Sequence, residues 1–356
     1  MQVSYKNIHP EFRLNGLKFS KEDLSEVGYS LIKEGETFEI AIGNFLLSWS
    51  NDSPVLEVNT SGSTGVPKTI ILEKQYMVNS AIATGEFFNL KPTDTALLCL
   101  PCNFIAGKMM LVRAMILGLQ LDYVPSSSEP LKDVVKAYDF GAMIPLQLEN
   151  SLVEINQIKK LIVGGAKMSD NLISQIQGLK TMVYETYGMT ETITHIAIKK
   201  ANHKTYKIEN FRALPNVRFS VDGRGCLVID AENISDEKVV TNDLVNLLSD
   251  KEFEWLGRFD SVINSGGIKL FPEKIESKLS SLIHENFFVA GIPDAKLGQK
   301  LVLLVEGNID AVKTLESIKL LKSLGKFEIP KEIFTLDSFV WTDNGKIQRS
   351  KTIAKL

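Results

Sequence analysis

From residue 69 onward, short apolar runs alternate with longer amphipathic stretches, so the hydrophobic period switches repeatedly between about two and about 3.6. Runs at 69–73, 95–100, 120–124, 140–144, 160–163 and 181–184 read as strands, and the stretches between several of them read as helices. Such a βα succession predicts a mostly parallel sheet. Past Tyr206 the texture changes. Residues 217–221, the turn Asp222-Gly223-Arg224-Gly225 and residues 226–229 predict an antiparallel hairpin, so the large region ends in a β-rich piece. A charged segment at 249–254 then precedes the turn-like Gly257-Arg258-Phe259-Asp260. The remainder predicts a hairpin, a helix over 272–283, strands near 287–291 and 301–305, and a helix over 311–324. The expected fold class is α/β. It combines a large N-terminal domain, 1–257, with a small mobile α+β C-terminal domain, 258–356.

With 356 residues, 44% of them hydrophobic, the chain can bury the cores of two domains. A net charge of -3 leaves no basic surplus for nucleic acid, so any anion must be held by local sites. No secretory leader opens the sequence. No apolar run reaches membrane-spanning length, because Arg113 interrupts the stretch that begins at Met109; a cytoplasmic address is expected. Cys99 and Cys102 have the spacing of a redox pair, but Cys99 lies in a strand-like run rather than at a helix N-terminus. A zinc site would have only Cys226 and four scattered histidines to complete it. The cysteines therefore read as structural.

The densest chemistry lies in Thr60-Ser61-Gly62-Ser63-Thr64-Gly65-Val66-Pro67-Lys68, between strand-like runs at 55–58 and 70–72. Glycines let successive N–H groups converge on phosphate oxygens, hydroxyls add donors, and the lysine adds charge. The glycine-to-lysine spacing is not that of a Walker A loop. A second run, Tyr184-Glu185-Thr186-Tyr187-Gly188-Met189-Thr190-Glu191, follows a predicted strand, where ligands sit in open α/β sheets. There Tyr187 could stack on a base, Thr190 could donate to phosphate, and Glu191 could hold Mg²⁺, which takes few protein carboxylates when phosphates supply other oxygens. A third run, 161–169, ends a strand in Gly164-Gly165-Ala166.

In content and order these runs resemble the adenylate-forming superfamily of acyl-CoA synthetases, peptide-synthetase adenylation domains and luciferases. The resemblance covers the chain from about residue 55 to the end. It implies that Thr60, Ser61, Gly62, Ser63, Thr64, Gly65 and Lys68 form a phosphate loop, that Gly164, Gly165 and Ala166 flank adenine, and that Tyr187, Gly188, Met189, Thr190 and Glu191 form the tyrosine-to-glutamate signature. Thr241-Asn242-Asp243 is similar to the family's Thr-Gly-Asp, which assigns both ribose hydroxyls to Asp243. Gly257-Arg258-Phe259-Asp260 resembles the hinge motif, with Arg258 near the ribose and Asp260 as pivot. Gly266, Gly267 and Lys269 match the loop lining the pantetheine tunnel, and Lys346 matches the catalytic lysine.

The implied activity is an AMP-forming acid–thiol ligase using ATP, Mg²⁺ and CoA on a small carboxylic acid. The acid-side segment, 104–113, is apolar apart from Lys108 and Arg113, which suits an acid with a second carboxylate on an apolar body. It is most similar to the o-succinylbenzoate-CoA ligases of menaquinone biosynthesis, which implies Phe104, Lys108 and Arg113 as substrate residues. The two cations stand about 140° apart on a helix, so they are not expected to face one pocket. A helix with solvated cations flanking a Met/Leu core face remains an alternative. Other acids, or nucleotide binding without catalysis, also remain open. The sequence departs from the family in having only 59 residues before Thr60 and in carrying Asn103-Phe104 where many relatives have an aromatic-histidine pair.

Overall fold

The structure, a computed structural model, describes residues 3–59, 69–203, 210–341 and 347–356. Two very short strands, β1 (Arg13–Leu14) and β2 (Leu17–Lys18), open the chain, followed by α1 (Leu24–Lys33) and α2 (Glu39–Ser50). The two helices approach closely at Gly28 and Gly43, where a Cβ on either would lie within 3 Å of the other's carbonyl oxygen. Next, β3 (Val55–Asn59) and β4 (Thr69–Glu73) pair antiparallel as an isolated two-stranded ladder. The run at 69–73 is thus a strand but not a member of the main sheet. Its partner is the strand on the other side of the hydroxyl- and glycine-rich run in the sequence. After β4 comes α3 (Lys74–Phe88), at whose start Lys74 is fully buried and donates to Trp49 O, Asn51 O and Asn51 Oδ1. Those bonds place a cation at the C-terminus of α2, where the helix dipole favours it.

The parallel half follows as β5 (Thr95–Leu98), α4 (Ile105–Leu117), β6 (Gln120–Tyr123), β7 (Tyr138–Met143), α5 (Pro145–Asn150), β8 (Ile158–Val163), α6 (Asp170–Gln175) and β9 (Met182–Gly188). Alternate residues of these strands face opposite cores. Ala96 and Leu98 join a cluster with Met77 of α3 and Met109 of α4, whereas Leu97 joins Leu148 of α5 and Leu172 of α6. Helices thus cover both faces, as a parallel sheet requires. Nine residues of α4 are buried, which makes it a core helix; Gly118, at φ +75°, ends it. Cys99 and Cys102 are buried free thiols just past β5, and burial pushes both up to about 12, so neither is a redox centre.

The remaining large-region strands are β10 (His195–Lys200), β11 (Phe211–Ala213), β12 (Arg218–Val221), β13 (Cys226–Asp230), β14 (Val239–Ser249) and β15 (Glu252–Arg258). The β-rich piece is not a separate sheet. It continues the parallel half across the β9–β10 pair, giving one thirteen-stranded sheet in the order β12-β13-β14-β15-β11-β10-β9-β8-β7-β5-β6-β1-β2. Beyond Arg258, β16 (Ile263–Ser265) and β17 (Ile268–Leu270) form the expected hairpin. Then come α7 (Pro272–Leu279), β18 (Phe287–Asp294), β19 (Gly298–Glu306), α8 (Ala311–Leu320), β20 (Glu332–Leu336) and α9 (Arg349–Ile353), with the strands forming a second, five-stranded sheet. The molecule is therefore a large mixed α/β region with a β-rich extension and a smaller α+β C-terminal region. Lys274–Glu254 and Ser277–Asp170 contacts tie α7 to the large region. Among the described residues no helix is long and apolar enough to cross a membrane.

Candidate active site

A cleft of about 590 Å³ opens where the parallel and antiparallel halves of the large sheet meet. Gly165 and Ala166 border it after β8, Tyr187 and Gly188 from the end of β9, which runs further than the sequence predicts, Met189 just beyond it, and Asp243 and Arg258 from the paired β14 and β15. Segments separated by many residues, expected to share one site, thus line one cavity. Its floor is aromatic: the Tyr187 ring meets Phe253 edge-on at 5.2 Å and lies 5.8 Å from Phe211.

Asp243 is the best-anchored group in the cleft. It is 7% exposed; Tyr187 Oη donates to its Oδ2 at 2.7 Å and Trp255 Nε1 to its Oδ1 at 3.1 Å. Its backbone N–H donates to Thr241 Oγ1, which fixes the strand beneath it. Burial, then the carboxylate beside it, raises the Tyr187 phenol far above its ordinary value, so it stays a donor. Arg258 faces Asp243 across the β14–β15 ladder and forms a bidentate pair with Asp260, both bonds 3.0 Å. The bonded guanidinium holds the Asp260 carboxyl below the usual carboxylate range.

The glycines are sterically explained. A Cβ on Gly164 would meet Thr186 Oγ1 at 2.5 Å, Gly165 has φ +86°, and a Cβ on Gly188 would collide with the Thr194 carbonyl at 2.2 Å. After Gly188 the chain enters a turn in which the Met189 N–H donates to Thr192 Oγ1, with Thr190 and Glu191 on the intervening 3₁₀ turn. Glu191 is exposed and borders the cleft. Among the described residues there is no cluster of three or more potential metal ligands.

Two features of the β9–β10 pair and the turn that joins it escaped the sequence reading. Glu185 and Lys199 are opposed across β9–β10, with Nζ 2.5 Å from Oε2. This oxygen is buried and, among the described residues, receives no directed hydrogen bond, so the pair is ionic. The second is Ile193, a buried β-branched residue at φ +64°, ψ −58°, with the Thr194 N–H donating to Thr192 O at 2.7 Å. That is the strained form of the γ-turn, and it lies directly before His195.

The acid-side residues separate as their spacing predicts. Phe104 precedes the first turn of α4, and Lys108 turns back to donate to the carbonyls of Cys102, 2.6 Å, and Asn103, 3.1 Å. Arg113 points into the core, 1% exposed. Its Nε donates to Thr84 Oγ1 at 3.3 Å, its Nη2 to His195 Nδ1 at 3.4 Å, and its Nη1 meets Met110 Sδ at 3.7 Å. Among the described residues no carboxylate pairs with it, and burial pushes its pKa down to about 9, so it remains charged at neutral pH. The alternative of a solvated cation does not hold for Arg113. In the C-terminal region, Gly266 and Gly267, at φ +60° and +83°, form the tip of the β16–β17 hairpin, and Lys269 is exposed on β17. Thr60 to Lys68 and Lys346 lie outside the described residues.

A 2-succinylbenzoate–CoA ligase from Staphylococcus epidermidis is 25% identical over 322 residues, covering 82% of this chain and 68% of that protein. An acyl-CoA synthetase (AMP-forming)/AMP-acid ligase II-like protein from Dyadobacter fermentans superposes with a TM-score of 0.61 at 35% identity, over 93% of this chain and 98% of that one. An o-succinylbenzoate-CoA synthetase from Bacillus subtilis, solved with its acyl-adenylate intermediate, shares the fold with a TM-score of 0.73 at 22% identity, over 83% of this chain and 68% of that one. Residues 46–233, which carry the glycine turn after β8 and the tyrosine-to-glutamate turn after β9, match the AMP-binding enzymes along their length, and the chain is a member of that family.

Proposed function

We propose that this chain is an ATP-dependent acid–CoA ligase working through an acyl-adenylate, with 2-succinylbenzoate as its acid. Asp243, held by Tyr187 and Trp255 opposite Arg258 in the family's cleft, carries the nucleotide part of the reading. A carboxylate does not acylate a thiol at neutral pH, because its carbonyl is resonance-deactivated and oxide is a poor leaving group. In the first half-reaction a carboxylate oxygen attacks the α-phosphorus of ATP and pyrophosphate leaves. In the second, the CoA thiol attacks the acyl carbon, AMP leaves and the thiol proton is released.

On this reading Asp243 accepts the ribose hydroxyls with the lone pairs that Tyr187 and Trp255 leave free. Lys346 bridges the carboxylate and the α-phosphate, and residues 60–68 receive the departing pyrophosphate. Glu191 would hold Mg²⁺, which when bound neutralises phosphate charge. Thr190 donates to phosphate. Residues 258–356 turn about Asp260 against 1–257 between the half-reactions, withdrawing Lys346 and bringing Gly266, Gly267 and Lys269 to the thiol arm. A cytoplasmic setting supplies both ATP and CoA.

The acid assignment rests on Arg113, a buried guanidinium with which no carboxylate pairs among the described residues. Such a group is costly to bury unless a ligand supplies the charge. Among the described residues its Nη1 donates to Met110 Sδ, a weak acceptor on an adaptable side chain. Wild-type protein is expected to prefer 2-succinylbenzoate to benzoate in acid-dependent pyrophosphate release. Arg113→Ala should raise the KM for 2-succinylbenzoate by about tenfold to a hundredfold, and that for benzoate far less. A wild-type preference for benzoate or a fatty acid would remove the 2-succinylbenzoate assignment.

A further inference from the structure

Three buried side chains from three separate elements meet in the core beside α4: Thr84 of α3, Arg113 of α4 and His195, the first residue of β10. Their hydrogen bonds have one consistent assignment. A guanidinium only donates, so His195 Nδ1, 3.4 Å from Arg113 Nη2, is an acceptor. Burial, and secondarily Arg113, hold the imidazole well below its ordinary pKa, so it is neutral and its one proton sits on Nε2. That N–H points at Thr84 Oγ1, 3.3 Å away. The same oxygen accepts from Arg113 Nε at 3.3 Å, and its own proton goes to Ser80 O at 3.0 Å. Both lone pairs and the single proton of Thr84 are thus committed. The strained turn at Ile193 fixes where the imidazole stands, since His195 follows it by two residues.

We infer that Thr84 is the positioning residue of an anion clamp: it fixes the Nε edge of Arg113 and the tautomer of His195, leaving the Nη1 side of the guanidinium for the second carboxylate of the acid. The inference rests on the dicarboxylate reading of the substrate. Neither Thr84 nor neutral His195 carries charge, so the clamp orients the cation without neutralising it. A carboxylate at Thr84 would have paired with Arg113 and removed its attraction for a ligand.

The direct test is Thr84→Val, nearly the same volume with no acceptor, beside Thr84→Ser, which keeps the hydroxyl. Thr84→Val should raise the KM for 2-succinylbenzoate about tenfold more than it raises the KM for benzoate, with kcat changed little, and Thr84→Ser should restore most of the loss. Equal losses for the two acids, or no rescue by serine, would overturn the inference. If Arg113→Ala discriminates between the acids and Thr84→Val does not, this inference fails and the substrate reading stands. If neither discriminates, the substrate reading fails. An independent readout needs no variant of Thr84: ¹⁵N spectra of the imidazoles, with His195 assigned by its loss in His195→Gln, should give a neutral Nε2–H ring. A neutral Nδ1–H ring, or a charged one at pH 7, contradicts the network.

Discussion

Lys346→Ala should slow adenylation by about 10²-fold or more, because the lost ammonium is the group proposed to neutralise charge as the acid's oxygen meets the α-phosphate. Thioester formation from preformed acyl-adenylate should keep most of its rate, since the proposed turn about Asp260 has withdrawn Lys346 from the reacting groups by then. Rapid-quench measurement of each half-reaction separates the two. Equal losses in both halves would assign Lys346 a structural role instead.

Asp243→Ala carries the second large effect. The carboxylate accepts from a phenol and an indole N–H inside the cleft, so its removal leaves two donors unpaired as well as taking away the proposed ribose acceptor. Affinity for AMP and ATP, read by calorimetry without turnover, should fall about tenfold to a hundredfold. Asp243→Asn should recover only part of this, because an amide offers one acceptor oxygen where two donors converge. Unchanged nucleotide affinity would place the ribose elsewhere.

Much of this arrangement was legible in the chain because buried parallel strands read as nearly unbroken apolar runs and because turns that approach a ligand need particular residues. The runs at 120–124, 160–163 and 181–184 fall on β6, β8 and β9, and both hairpins form, although β9 continues to Gly188 through polar residues that no apolar run marks. Partnership between strands was not legible. Thr69–Glu73 has the apolar texture of its neighbours, yet it pairs with Val55–Asn59, because a run's own residues do not say which other run completes its ladder. For the same reason, the continuity of the parallel and antiparallel halves across β9 and β10 appears only in the fold. The first two strands, two residues each, are too short to show a period.

In the cleft, the residues announced by glycines after β8, on β9 and at the β14–β15 pair lie together, whereas neighbours whose signal is purely spatial were not legible. Glu185 sits in a strand like any other polar residue until Lys199 is placed opposite it. Thr84 and His195 lie 111 positions apart and have nothing in common along the sequence. Long side chains hide their destination too. Lys108 and Arg113 read alike as helix cations, yet one ties down the loop before α4 and the other enters the core.

The central claim is that the acid's own oxygen attacks the α-phosphorus, and carboxyl-labelled acid tests it in one reaction. With ¹⁸O in the carboxylate of 2-succinylbenzoate, and ATP, Mg²⁺ and CoA supplied, mass spectrometry should find one ¹⁸O in the phosphate of AMP, formed in equal amount with pyrophosphate and acyl-CoA. Production of ADP and labelled inorganic phosphate, or nucleotide binding with no acid-dependent turnover of any acid, would contradict the account.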